Sequence, residues 1–260
     1  MSQTSLLVQF SSLFFSFVLA QQAATPDLQN SAQAIQALQR SAQVLGGSPP
    51  TDTSATGTIV VVAGGDTETG TAKILTKGLN ESLEEISLPN GVSRVVYSNG
   101  MAVVLVPGSD LQQASMERTM SSQSPIYPLP LIARIISSPD SMYELVGTED
   151  VQGLSCLHIR TWNSFASYPK VQFLSEFSKK DIWVEVQTGL VRRLSYEVRD
   201  ASGAGPRLSM DIYYSDYRSI GVGLYPFDVK ESMNGTPWME ISIKSAAANT
   251  GLTDSAFQIQ

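Results

Sequence analysis

From residue 58 onward the chain alternates apolar and polar residues with a period of two, in short runs punctuated by Gly, Asn and Pro. Nothing else in the sequence restricts its fold as much. Alternation of this kind sends successive side chains to opposite faces of a strand. The runs 58–63 (TIVVVA), 71–76, 82–88, 93–97 and 101–106 read as strands, with 64–70 (GGDTETG) as the first turn. Pro89-Asn90-Gly91 and Ser98-Asn99-Gly100 join the later runs. Asn-Gly between apolar runs is a strong hairpin signal, because both central residues of a type I′ turn need positive φ. Two such hairpins in succession make a meander. A second series follows at 141–147, 153–162, 181–186, 190–199, 208–216, 224–231 and 238–244.

Between the two series the period changes. Residues 109–120 predict a short polar helix, and 126–136 (IYPLPLIARII) an apolar one. Pro128 and Pro130 restrict that second helix to Leu129 onward. Ahead of the first strand, 27–45 reads as a helix with Leu28, Ala32, Ile35, Leu38, Ala42 and Leu45 on one stripe. Asp27 can cap its start and Gly46-Gly47 ends it. Residues 48–57 (SPPTDTSATG) have a linker's composition. The segment 163–180 reads as a long, aromatic, mobile loop, and TDSAFQI near the C-terminus as one helical turn.

The strand faces separate cleanly. Ile182, Val184 and Val186 oppose Trp183 and Glu185. Leu194, Tyr196 and Val198 oppose Ser195 and Glu197. Met210, Ile212 and Tyr214, and then Met239, Ile241 and Ile243, repeat the pattern. A sheet with one apolar face must cover it. The available cover is the N-terminal helix and the helical region 109–137. The fold class is therefore α+β, a large curved antiparallel sheet with helices on one side. The organisation expected is a leader at 1–20, a helix and linker at 21–57, and the sheet at 58–260 with its helical insertion, forming one domain with the N-terminal helix.

The leader rests on residues 6–19 (LLVQFSSLFFSFVL), with no Asp, Glu, Lys or Arg before Asp27. That run suits a signal-peptide core and is short for a membrane span. Val18-Leu19-Ala20 places small residues suitably for cleavage after Ala20, although no basic side chain precedes the core. A secreted or periplasmic protein is expected, not integral to a membrane after cleavage. Gln21, not cysteine, stands directly after the cleavage point, so the chain should not itself be a lipoprotein.

Composition excludes several functions. With 17 basic against 24 acidic residues, net −7, and basic residues never clustered beyond pairs such as Lys179-Lys180 and Arg192-Arg193, the chain is not built for nucleic acid or for an anionic membrane surface. Cys156 is the sole cysteine, so an intramolecular disulfide and a cysteine zinc site are both out. His158, the sole histidine, shares a strand face with Cys156, whereas nucleophilic pairs come from separate elements. Asp66 and Glu68 belong to one turn, which cannot supply the six to eight oxygens of a calcium site. Glu84 and Glu85 alternate faces and cannot act as an acid–base pair. Gly64-Gly65 is followed by no Lys-Ser/Thr and no helix, unlike a phosphate loop. Asn80 and Asn234 lie in glycosylation sequons, which matter only in a glycosylating source. No catalytic residue, metal or cofactor is expected.

Helix, meander, helical insertion and second meander, in that order, resemble the family of periplasmic outer-membrane lipoprotein carriers and their receptors (the LolA/LolB-like superfamily), with related lipid-binding and envelope-sensing domains. Three segments carry the resemblance: Tyr97-Ser98-Asn99-Gly100-Met101; the strand, Thr188-Gly189-Leu190 turn and strand from Asp181 to Arg193; and Tyr214-Ser215-Asp216-Tyr217-Arg218 followed by Gly221-Val222-Gly223-Leu224-Tyr225-Pro226. It spans about residues 27–245. It implies an unclosed half-barrel with a helical lid over an apolar cavity that holds acyl chains. The ligand implied is a lipid, an acyl chain or a lipid-modified protein. The alternative is an envelope protein partner met by the same fold without bound lipid. Carried onto this sequence, the cavity would be lined by Met101, Ile182, Val184, Leu194, Tyr196, Met210, Ile212, Tyr214, Met239 and Ile241. The Pro- and Ser-rich stretch before the first strand and the 163–180 loop depart from the carriers, and their gating arginine has no matching position here.

Overall fold

A computed structural model describes residues 28–121, 126–198 and 205–258; the leader lies outside them. The chain runs α1 (Leu28–Leu45), β1 (Asp52–Ala63), β2 (Asp66–Lys77), β3 (Glu81–Leu88), β4 (Gly91–Ser98), β5 (Met101–Leu105), β6 (Gln112–Gln113), α2 (Met116–Ser121) and α3 (Pro128–Ser137). There follow β7 (Ser141–Val151), β8 (Leu154–Asn163), a 3-10 turn Pro169–Leu174, α4 (Ser175–Ser178), β9 (Lys180–Glu185) and β10 (Val191–Val198). Then come β11 (Leu208–Ser219), β12 (Leu224–Met233), β13 (Thr236–Ala248) and a last 3-10 turn, Asp254–Phe257.

All these strands form one antiparallel sheet in the order β6-β5-β4-β3-β2-β1-β13-β12-β11-β10-β9-β8-β7. The first meander walks outward from β1, and the second walks back from the far edge until β13 pairs with β1. The two free edges, β6 and β7, are thus joined in sequence by the segment carrying α2 and α3. The sheet does not close, and the helical insertion starts at one edge and ends at the other.

Inner-face residues of β1, β2 and β8 to β13 enter one core cluster with Leu38, Ala42 and Leu45 of α1 and Leu129, Leu131 and Ile132 of α3. Ser31 Oγ donates to Tyr143 O at 2.9 Å, and Arg40 donates to Val186 O and Gln187 O, which holds α1 against the second meander. The buried stripe of α1 is Ala34, Ala37, Leu38, Ser41, Ala42 and Leu45, while Ala32 is exposed and Ile35 half-buried. The stripe is turned from the one expected because small alanines face the sheet and let the helix backbone approach it. A Cβ on Gly223 would lie 2.2 Å from Leu45 O, so the end of α1 crosses the β11–β12 turn where only glycine fits.

Several local expectations need correcting. Residues 52–57 belong to β1, not to a linker, paired with β2 and β13. Their polar composition hides a strand because polar partners hold it. Asp52 accepts from Thr250 N and Oγ1 at 2.7 and 2.6 Å and from Gly251 N and Leu252 N, while the Thr53 and Thr76 hydroxyls lie 2.6 Å apart. The first turn is Gly64-Gly65 alone, and Asp66 to Gly70 already pair with β1. Asn99 (φ 52°) and Gly100 (φ 74°) make the expected type I′ turn. In the other hairpin Leu88 pairs with Gly91, so Pro89 and Asn90 are central; proline cannot take positive φ, so that turn is not type I′. Helix α3 begins one residue early, at Pro128, because a first-turn N–H needs no partner. In place of a helix over 109–120, α2 covers only Met116–Ser121, with Arg118 N bonded to Ser115 Oγ at 3.2 Å. The segment 163–180 is not a loose loop. Ser178 Oγ accepts from Asn163 N at 2.8 Å and donates to Ser175 O at 2.7 Å, and Leu174 is buried.

Candidate functional site

Nine of the ten residues proposed to line a cavity come together on the inner face, all buried in the core cluster: Ile182, Val184, Leu194, Tyr196, Met210, Ile212, Tyr214, Met239 and Ile241. They pack against one another and the helices. Met101 is apart from them, 51% exposed at the start of β5. Over this surface Tyr127, just before α3, stacks on Tyr225 of β12 with ring centroids 4.6 Å apart. Both hydroxyls are buried without a hydrogen-bond partner, an orphaned polar pair of the kind that strains a core.

Space opens beside the covering helix. A cavity of about 300 Å³ lies between α3 and the β2–β5 end of the sheet, lined by Thr76, Leu79, Glu81, Tyr97, Met101, Leu131 and Arg134 among others. A second, of about 250 Å³, lies on the other flank of α3, against β7, β8 and β9, with Leu131, Arg134, Ser141, Thr161, Asn163 and Lys180 in its wall. Leu131 and Arg134 belong to both, so α3 is the partition between them. A more open groove of about 740 Å³ runs between α1 and α3 past Gly78 and Leu79.

The inner face is not uniformly apolar. Glu231 continues the parity of Tyr225, Phe227 and Val229 and lies between Ile212 and Met239. Glu84 sits opposite Ile74. Burial pushes both carboxyls up, Glu84 to about 7 against the pull of Arg118, and Glu231 to about 8 with the Glu84 charge adding to burial. Lys180 also lies on the apolar face, in register with Thr161 and Tyr196, and is 6% exposed. Burial, then the positive charge of Arg134, push it down to about 7. Burial lowers Arg134 to about 10. Lys180 Nζ donates to Met120 O at 3.1 Å, and Arg134 Nη1 to Leu79 O at 3.3 Å.

The outer face carries a different arrangement. His158, Trp183, Arg193 and Tyr213 sit in one row across β8 to β11. His158 stacks on Trp183 at 4.3 Å, and the Arg193 guanidinium lies 4.1 Å from the Trp183 ring centroid. His158 Nδ1 lies 2.9 Å from Glu149 Oε1 and Nε2 lies 2.7 Å from Asp181 Oδ1. With a carboxylate on each ring nitrogen, the imidazole is not available to Cys156. That thiol is fully buried and is pushed up to about 11 by burial and then by the Glu185 charge. Among the described residues no three His, Cys, Asp or Glu side chains gather to hold a metal ion, and no helix is long and apolar enough to cross a membrane.

The sequence reading passed over Lys180, Arg134, Glu84 and Glu231 as members of the interior. Strand parity could have found three of them: Lys180 precedes Ile182 by two and Val184 by four, Glu231 follows Val229 by two, and Glu84 precedes Ile86 by two. Arg134 interrupts an otherwise apolar LIARII run.

No family model matches the sequence, and no curated protein does. Solved structures match its fold over nearly their whole length. A DUF1329 family protein from Desulfovibrio piger has a TM-score of 0.58 at 16% identity, covering 88% of this chain and 97% of its own. A LolA superfamily protein from Nitrosomonas europaea has a TM-score of 0.56 at 14% identity, with coverages of 87% and 97%. An outer-membrane lipoprotein-sorting protein domain from Vibrio parahaemolyticus has a TM-score of 0.58 at 12% identity, with coverages of 88% and 97%. The resemblance carried by the turn segments is thus borne out at the level of fold: an unclosed antiparallel sheet around covering helices, the fold of the LolA superfamily.

Proposed function

We propose that this protein is an exported, non-catalytic binder of the cell envelope that takes a lipid, an acyl chain or a lipid-modified protein between its inner sheet face and α3. The observation that carries this reading is the place of α3. It is anchored in sequence only between the two free sheet edges, covers a continuous apolar face, and has a cavity on each flank. Displacing it toward solvent would join those cavities over Ile182, Leu194, Ile212 and Ile241. Apolar burial would then drive binding, at roughly 25 cal/mol per Å² covered, with polar groups at the rim selecting the ligand. The likeness to a LolA superfamily protein and a lipoprotein-sorting domain supports the same reading. Cleavage after Ala20 would release the mature chain outside the cytoplasm.

One observation favours a second reading. The nine inner-face residues are each at most 7% exposed and pack in one cluster, so among the described residues this surface is already covered. A protein-interaction or envelope-sensing domain needs no opening there. Native mass spectrometry with lipid extraction, on mature protein purified from its own envelope fraction, separates the two. A stoichiometric lipid lost on denaturation supports the binder. A clean apo mass with no uptake from added lipid overturns it in favour of the interaction domain.

A further inference from the structure

Buried cations are costly without carboxylates around them. Lys180 from β9, which is buried, and Arg134 from α3, which is half-buried, nevertheless line the same cavity. Each gives its hydrogen bond to a backbone carbonyl, and the ion pairs among the described residues involve neither of them. A guanidinium has five N–H donors and an ammonium three, so both keep donors to spare. Ser141 and Thr161 add hydroxyls to the wall. Asn163 adds an amide whose Oδ1 is buried and unpartnered, and which presents N–H groups after a half-turn.

Two like charges facing one small cavity repel each other until an anion stands between them. The volume, about 250 Å³, is below the range of roughly 300–1,000 Å³ of drug-sized ligand pockets. It has room for a headgroup and none for a whole lipid. Resting on the amphiphile-binding reading above, we propose that the cavity between α3 and β7–β9 is an oxyanion site in which Arg134 and Lys180 take the phosphate or carboxylate headgroup of that amphiphile. Arg134 sits on the partition shared with the neighbouring cavity, so headgroup binding fastens the covering helix to β9. The depressed affinity of Lys180 for its proton, itself partly due to Arg134, is the state such an anion would reverse.

The test is calorimetric titration of the mature protein with dodecyl phosphate, dodecyl maltoside and inorganic phosphate. We expect dodecyl phosphate to bind about tenfold or more tighter than dodecyl maltoside, a charge-assisted preference. Arg134→Met with Lys180→Met should remove that preference, while Lys180→Arg keeps it. Binding of inorganic phosphate by wild type, lost in the double variant, would assign the site to free oxyanions as well. If inorganic phosphate binds there and neither amphiphile does, the anion site stands and the amphiphile reading falls. If the two amphiphiles bind equally to wild type, or the double variant keeps the preference, the anion site falls and the amphiphile reading survives. No binding of any of the three overturns the site. Where the double variant fails to fold, Lys180→Met alone should lower the preference, and an unchanged preference there overturns the site.

Discussion

Glu231, with Glu84 raised beside it, sets the pH response of this core. Unfolded, it releases its proton near 4.5; folded, burial and the neighbouring Glu84 hold the proton up to about 8. Between those values the folded chain binds more protons than the unfolded one, so stability falls as pH rises through that window. Glu231→Gln should flatten the fall of Tm with pH over the same window, and a variant as steep as wild type would show that this carboxyl is not the one titrating. Asp52 works in the opposite sense. Burial alone would raise it, but the hydrogen bonds from Thr250, Gly251 and Leu252 outweigh that and hold it below its ordinary value of 3.8. Its contribution is present above that value and lost as pH falls below it. Asp52→Ala should cost about 2 kcal/mol in urea unfolding at neutral pH, because it takes the acceptor from the Thr250, Gly251 and Leu252 amides and the Thr250 hydroxyl at once. Ile212 is fully buried directly across from Leu194 and Glu231. Ile212→Asp sets a second carboxyl against Glu231 and should cost at least about 4 kcal/mol or abolish folding. A well-folded variant would mean that this side chain does not face the interior.

At the scale of elements, turns and covering helices divide the work. Gly91 has φ 134°, and a Cβ there would lie 2.9 Å from Pro107 Cβ. Asn90 has neither constraint, since the turn is centred on Pro89 and Asn90 without positive φ at either. Gly91→Ala should therefore lower stability by about 1–2 kcal/mol, and Asn90→Ala by less than about 0.5 kcal/mol. Equal costs would return the hairpin to an Asn-Gly-centred turn. Helix α3 is buried on its core side at Leu129, Leu131 and Ile132, yet flanked by two cavities. Its amides should exchange with deuterium well before those joining β1 to β13, which lie mid-sheet.

For the molecule as a whole, the β1–β13 seam joins the two meanders, and the C-terminal segment clamps it from outside. Phe257 covers Leu75, Leu83 and Val96 on the outer face, Asn249 Oδ1 accepts from Thr51 N, and Lys77 pairs with Asp254. Deleting residues 249–260 strips these contacts together with the partners of Asp52. A loss of about 3 kcal/mol would lower Tm by about 6–12 °C for a chain of this size. A truncated protein melting with wild type would show that the seam needs no clamp.

The period-two runs and their turns determined the strands and the antiparallel class, because alternation and turn chemistry are local and act through neighbours two to four residues apart. The same parity separates Ile182, Leu194 and Ile212 from Trp183 and Ser195. Local reading failed where partners are distant. The strand at 52–57 looked like a linker because what holds it is Thr250 to Leu252, nearly two hundred residues away. The 163–180 segment looked loose because its anchor is the Ser178 hydroxyl folded back on Asn163. Arg134 and Lys180 lie 46 positions apart in sequence (180 − 134) and are made neighbours only by the return of the chain from β7 to β9. The sequence by itself determined which residues are apolar, which alternate and where the chain turns. Tertiary structure alone decided which charges are buried together, because burial and pairing are properties of the space between elements and not of any one of them.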